Sequence, residues 1–183
     1  MKLLPLKAQF YIYCLVFCVV VLTISSVLFA VRYLDIGIYS HIPENSIRMA
    51  VPYHGLGTNA DFLVNLLVFS ILICLTDLYP IVLSYNNESE ATVSCALKAA
   101  VAILYGPQVT TIVTVVGTLF AEILLRRVWY KAAFNVAEMT LASAGMSLVY
   151  QLLYGIGRDP FASIQGIGAL LAMTLAFFFL NWG

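Results

Sequence analysis

Apolar residues run through this chain in long blocks separated by short polar or turn-forming clusters, and the block lengths select membrane-spanning helices over strands or soluble helices. The first uncharged block extends from about Phe10 to Val31, between Lys7 and Arg32. It exceeds the roughly 20 residues that cross a hydrocarbon core and the roughly 7 to 15 apolar residues of a cleaved signal, so a retained span is expected. A second block, residues 62–83, is apolar except for Asn65 and Asp77, and a short third block, 91–105, carries Lys98. Gly106-Pro107 then interrupts the pattern, because proline lacks a backbone donor and clashes with the turn before it. Further blocks lie at about 108–125, 132–154 and 161–180. The expected fold is all-α, one transmembrane domain over residues 1–183: a polytopic bundle of six transmembrane helices with the N-terminus and C-terminus cytoplasmic.

One connection is long, residues 32–61, with Tyr33, Tyr39, His41, Tyr53 and His54 among its members. Loops beyond about 12 to 15 residues are commonly functional or disordered. This loop is placed outside, either folded over the mouth of the bundle or lying on the lipid headgroups. Lysine and arginine bias sets the orientation: Lys2, Lys7, Arg126, Arg127 and Lys131 fall inside, and Arg32, Arg48 and Arg158 outside. The last block stops at Asn181-Trp182-Gly183 without a basic anchor. A cytoplasmic effector following the chain is therefore expected, the alternative being a small protein ending at the interface on Trp182.

Composition closes off whole function classes. Hydrophobic residues make up 62% and charged residues 10%, with a mean hydropathy of +0.97, whereas soluble domains carry about 25% charge. Cys14, Cys18, Cys74 and Cys95 all fall in apolar blocks and read as buried small hydrophobes, not as a disulfide framework or a metal site. No phosphate-cradling glycine loop, metal box or nucleophile elbow is present, so no enzymatic activity is expected. The sequence names no cofactor. The expected partners are the lipid bilayer, a cytoplasmic signalling domain or partner subunit and, as the lesser alternative, a second copy; no nucleic acid is expected. Small residues recurring every four positions, Gly168, Ala172 and Ala176 or Ala133 and Ala137, are expected at helix contacts. Ser143 and Ser147 should bond neighbouring carbonyls, and Asp159 should cap the last helix.

Polar groups within the blocks are the candidate chemistry. An ion at the centre of a spanning helix costs at least about 2.5 to 3.5 kcal/mol, so such groups turn inward and find partners. Asp77, Lys98, Glu122, Asn135 and Glu138 all fall in the cytoplasmic half when heights are counted along the helices. Lys98 is expected to pair with Glu138, assisted by Asn135, and Glu122 with Arg126 at the helical spacing of four. The set is either a structural ion-pair cluster or a ligand-binding relay. Arg126, Arg127, Trp129 and Lys131 form a basic, aromatic membrane anchor.

From Thr76 to Tyr150 the order of features resembles the membrane-associated sensor domains at the front of bacterial cyclic-di-GMP signalling proteins with HD-GYP or GGDEF output domains. The resembling features are Thr76-Asp77 with Tyr79-Pro80, Val93-Ser94, Tyr105-Gly106-Pro107, and Trp129-Tyr130-Lys131 followed by Phe134-Asn135. That family more often carries Gln where this chain has Glu138. The resemblance implies a sensory domain of the bacterial inner membrane that regulates cyclic-di-GMP turnover without performing it. The layout is also similar to the substrate-binding subunits of energy-coupling-factor vitamin transporters, though the first helix lacks their small-residue docking face. An accessory subunit of a larger membrane complex is the third reading.

Overall fold

The computed structural model describes residues 6–35, 59–79, 81–82, 90–91, 93–156 and 158–181. Five α-helices organise them: α1 (Leu6–Asp35), α2 (Asn59–Leu78), α3 (Ser94–Leu124), α4 (Trp129–Leu153) and α5 (Ile164–Leu180). Two-residue strands, β1 (Ile81–Val82) and β2 (Glu90–Ala91), pair antiparallel between α2 and α3. Most of the long connection, with His41 and His54, lies outside the described residues.

Helix ends follow local chemistry. The block expected over 62–83 is helical only to Leu78, since Pro80 disfavours helical backbone at the residue before it, and Ile81-Val82 become β1. A 3-10 turn at Pro160–Ala162 precedes α5. Asp159 caps that turn by accepting from the Phe161 amide, while Ser163 caps α5 by accepting from Gly166. The cap of the last helix is therefore Ser163 and not Asp159.

The expected interruption at Gly106-Pro107 is present and decides the topology. Gly106 has φ 78° and ψ −178° within α3, a backbone region open mainly to glycine. Asp77 contacts both Lys98 and Thr118. In a continuous helix those two residues would stand about 30 Å apart at 1.5 Å per residue. The chain must therefore reverse at Gly106, making α3 a helical hairpin with arms 94–105 and 107–124. Pro107 opens the second arm, where its missing N–H has no helical partner to lose.

Helix α3 packs against α1, α2 and α4, and α4 against α5. Ile73, Val101, Val109 and Val113 form one core cluster, between α2 and both arms of α3. Ala102, Met146, Tyr150, Ala169 and Met173 form the other. Gly117 permits the α2 contact: a Cβ there would stand 2.8 Å from the Ser70 carbonyl oxygen. Gly168, by contrast, faces open space and the buried stripe of α5 is Gly166, Ala169 and Met173. The expected small-residue contact at Gly168 is thus displaced by one helix face. Cys14 and Cys18 also face outward, contrary to the buried reading.

Polar side chains are buried beside the apolar core while many large apolar ones face outward. Lys98, Thr110, Thr114, Thr140, Ser143 and Ser147 are fully buried, while Phe161, Ile164, Leu152 and Phe179 are exposed. By length and composition, two helices are apolar enough to cross a membrane, Ser94–Leu124 and Trp129–Leu153, and shorter apolar helical stretches run over Ile12–Leu28, Leu63–Leu78 and Ile164–Leu180.

Candidate functional site

Four helix ends meet at one pole of the molecule: the last turn of α2, the outer ends of both α3 arms, and the first turns of α4. Asp77 sits one residue before the end of α2. Its Oδ1 lies 3.6 Å from Lys98 Nζ, and its Oδ2 accepts from Thr118 Oγ1 at 3.0 Å. Lys98 Nζ also donates to Ser94 Oγ at 3.2 Å, one turn back on its own helix. Asp77 therefore ties α2 to both arms of the hairpin through one carboxylate. The acid facing Lys98 is Asp77, in place of the expected Glu138. The reversal at Gly106 brings Thr118 of the second arm back to the same carboxylate.

Glu122 forms a second node. Its Oε1 accepts from Asn135 Nδ2 and lies 3.4 Å from Arg127 Nη1. Arg127, not Arg126, is therefore its ion-pair partner, and the end of α3 explains the difference. The Arg126 amide donates to the Ile123 carbonyl and the Arg127 amide to the Glu122 carbonyl, which is the Schellman arrangement. It requires a left-handed residue after the cap, and Arg126 supplies it at φ 52°. That turn removes Arg126 from the helical spacing of four and swings Arg127 back towards Glu122. Asn135 joins Glu122 instead of serving the Lys98 pair.

A buried polar stripe extends from this pole into the bundle. Thr110, Thr114, Thr118 and Glu122 recur every four residues on the second arm of α3 and are all buried. The four-residue spacing of these threonines is the sequence signal for the stripe, a signal weaker than that of a charge because a threonine in an apolar helix can bond its own backbone. Thr110 and Thr140 donate to the carbonyls four residues before them, and Ser147 donates to the Ala102 carbonyl at 3.3 Å, as expected of it. Thr114 Oγ1, Ser143 Oγ and Glu122 Oε2 have no hydrogen-bond partner among the described residues. Counting eight residues from the Glu122–Asn135 contact along each antiparallel helix leads to Thr114 on one side and Ser143 on the other. The two unpartnered hydroxyls thus occupy the same level. Glu138, which makes interactions of its own, is half-buried on α4.

The basic edge lies just outside these nodes. Arg126, Trp129 and Lys131 are exposed, and Trp129 packs edge-on against Tyr130 with ring centroids 6.1 Å apart. Buried hydroxyls, one buried ammonium and two acids make this arrangement suited to binding or relaying charge. No histidine, cysteine or further acid completes a metal cluster among the described residues. Comparisons with protein-family models, with curated proteins and with solved structures gave no match for the chain.

Proposed function

We propose that the chain is a non-enzymatic sensory or regulatory domain of the bacterial inner membrane, a six-span bundle that perceives a small ligand or membrane signal and relays it to a cytoplasmic output, cyclic-di-GMP turnover. The observation that carries this reading is the buried Lys98–Asp77 pair with its Thr118 link. A charge pair that joins three helical segments has two outcomes, closed or broken, and each outcome favours a different helix packing. The many exposed Phe and Leu side chains support the membrane part of the reading, because they are stable against lipid. Counting the hairpin arms of α3 separately gives six helical segments; the 94–105 arm, about 18 Å long at 1.5 Å per residue, is shorter than a hydrocarbon core of about 30 Å.

The test uses cells expressing the full gene product. Asp77→Asn and Lys98→Met are each expected to shift cellular cyclic-di-GMP while the protein remains membrane-inserted. Unchanged cyclic-di-GMP in both variants would remove the signalling role. Copurification with two ATPase subunits and a transmembrane coupling subunit would replace it with the vitamin-transport reading.

A further inference from the structure

Several buried hydroxyls are satisfied by their own helices, and two inside the bundle are not. Ser70, Thr110, Thr111 and Thr140 each donate to the carbonyl four residues before them, the local bond that lets serine or threonine sit within an apolar helix. Thr114 on the second arm of α3 and Ser143 on α4 are fully buried. Neither hydroxyl makes that bond or any other among the described residues, so both are committed to nothing on their own helices.

Two independent counts bring these hydroxyls to one level, that of Lys98. The chain reverses at Gly106, so the residues eight before and eight after it, Lys98 and Thr114, stand opposite one another on the two arms. The first arm and α4 start from the same pole, and Ser147 donates to the Ala102 carbonyl at 3.3 Å; one turn back towards that pole stand Ser143 and Lys98. Ser143 shares with Ser147 the stripe of α4 that faces the hairpin. Thr114 shares with Thr118 the stripe of the second arm that faces inwards, to Asp77. The Lys98 ammonium is directed one turn nearer the pole, to Ser94 and Asp77. Charge then selects the occupant: a cation would lie one turn from a buried ammonium and an anion one turn from a carboxylate, whereas a neutral hydrogen-bonding molecule meets a balanced pair. Each hydroxyl offers one donor and two acceptor positions, and two such groups meet the 2–4 polar partners that a buried water takes.

We propose that Thr114 and Ser143 bind a buried water molecule that bridges the second arm of α3 to α4 at the level of Lys98. The bridge turns two hydroxyls that are each costly when left unpaired into a tie between helices. It also carries the polar path from Glu122, past Thr118, about 12 Å into the bundle, eight residues at 1.5 Å each. The inference rests on the packing of α3 against α4 and not on the signalling output.

Solid-state NMR of the full chain reconstituted in lipid tests the bridge directly. Polarisation transferred from water is expected to reach the Thr114 and Ser143 side chains more strongly than those of Thr110 and Thr140, which are equally buried but bonded to their own backbones. Thr114→Val should remove the transfer to Ser143, and Ser143→Ala the transfer to Thr114, whereas Thr114→Ser, which keeps the hydroxyl, should retain it. In detergent, the double variant Thr114→Val with Ser143→Ala should lose less melting temperature than the two single losses added together, the mark of a shared partner. Transfer to Thr114 and Ser143 no stronger than to Thr140 would overturn the bridge, as would strictly additive losses. Single variants that melt above the parent would overturn it too, because they would show the hydroxyls to be unsatisfied.

Discussion

Arg126 holds a left-handed conformation at φ 52° that a Cβ makes unfavourable, at a cost of about 1–2 kcal/mol. Glycine removes that cost but adds about 0.5–1 kcal/mol of unfolded-chain entropy. Arg126→Gly is therefore expected to raise the melting temperature in detergent slightly; a drop would mean that the side chain contributes more than its backbone costs. Lys98 is the opposite case, a buried ammonium facing an acid that is only 12% exposed. Removing one member of a buried pair costs about 3–5 kcal/mol, so Lys98→Ala should lower the melting temperature far more than Arg158→Ala, which removes an exposed guanidinium 6.0 Å from the Tyr154 ring. Equal melting temperatures would rule out the buried pair. The participants Asp77, Lys98, Glu122 and Asn135 were legible in the sequence, because charge and amide groups stand out in apolar blocks. Their pairing was not. Partner choice depended on a helix-ending turn at Arg126 and on which helix lay beside Lys98, and neither is encoded in the spacing of the ions themselves.

The reversal within α3 was legible for the same reason the pairings were not: Gly106-Pro107 is a local signal, complete within two residues. Hydropathy alone extends α2 five residues too far, to residue 83 instead of Leu78, because the apolar run continues through Ile81-Val82 while a proline at position 80 disfavours helix before it. Small residues raise the same distinction. Periodicity points to Gly168, yet Gly117 is a glycine at which α2 and α3 approach closely, with Ile73 and the Ser70 carbonyl against it. Gly117→Ala should push α2 away from α3 and destabilise by about 1–3 kcal/mol, whereas Gly168→Ala should be neutral or slightly stabilising, since helix propensity favours Ala by about 1 kcal/mol. Thermal unfolding of the two variants in one detergent separates them. If Gly117→Ala melts with the parent, the α2–α3 contact is looser than the 2.8 Å approach implies.

At the scale of the whole molecule, the proposed topology fixes which ends of the helices share a compartment. Helix α4 has 25 residues, about 37 Å at 1.5 Å per residue, enough to traverse a hydrocarbon core of about 30 Å. The turn before it carries Arg126 and Arg127, and the segment after it carries Arg158 and Asp159, so under the proposed topology the first turn lies in the cytoplasm. Val128 and Ala162 are both exposed and lie beyond opposite ends of α4. In a background lacking Cys14, Cys18, Cys74 and Cys95, a membrane-impermeant maleimide should label Ala162→Cys in cells with a permeable outer envelope and label Val128→Cys only after the inner membrane is opened. The reverse pattern would invert the bundle, placing the Lys98–Asp77 node at the external face and detaching it from any cytoplasmic output. Labelling of both before opening would mean that α4 does not cross the membrane, and the buried charges would then need an account based on soluble packing.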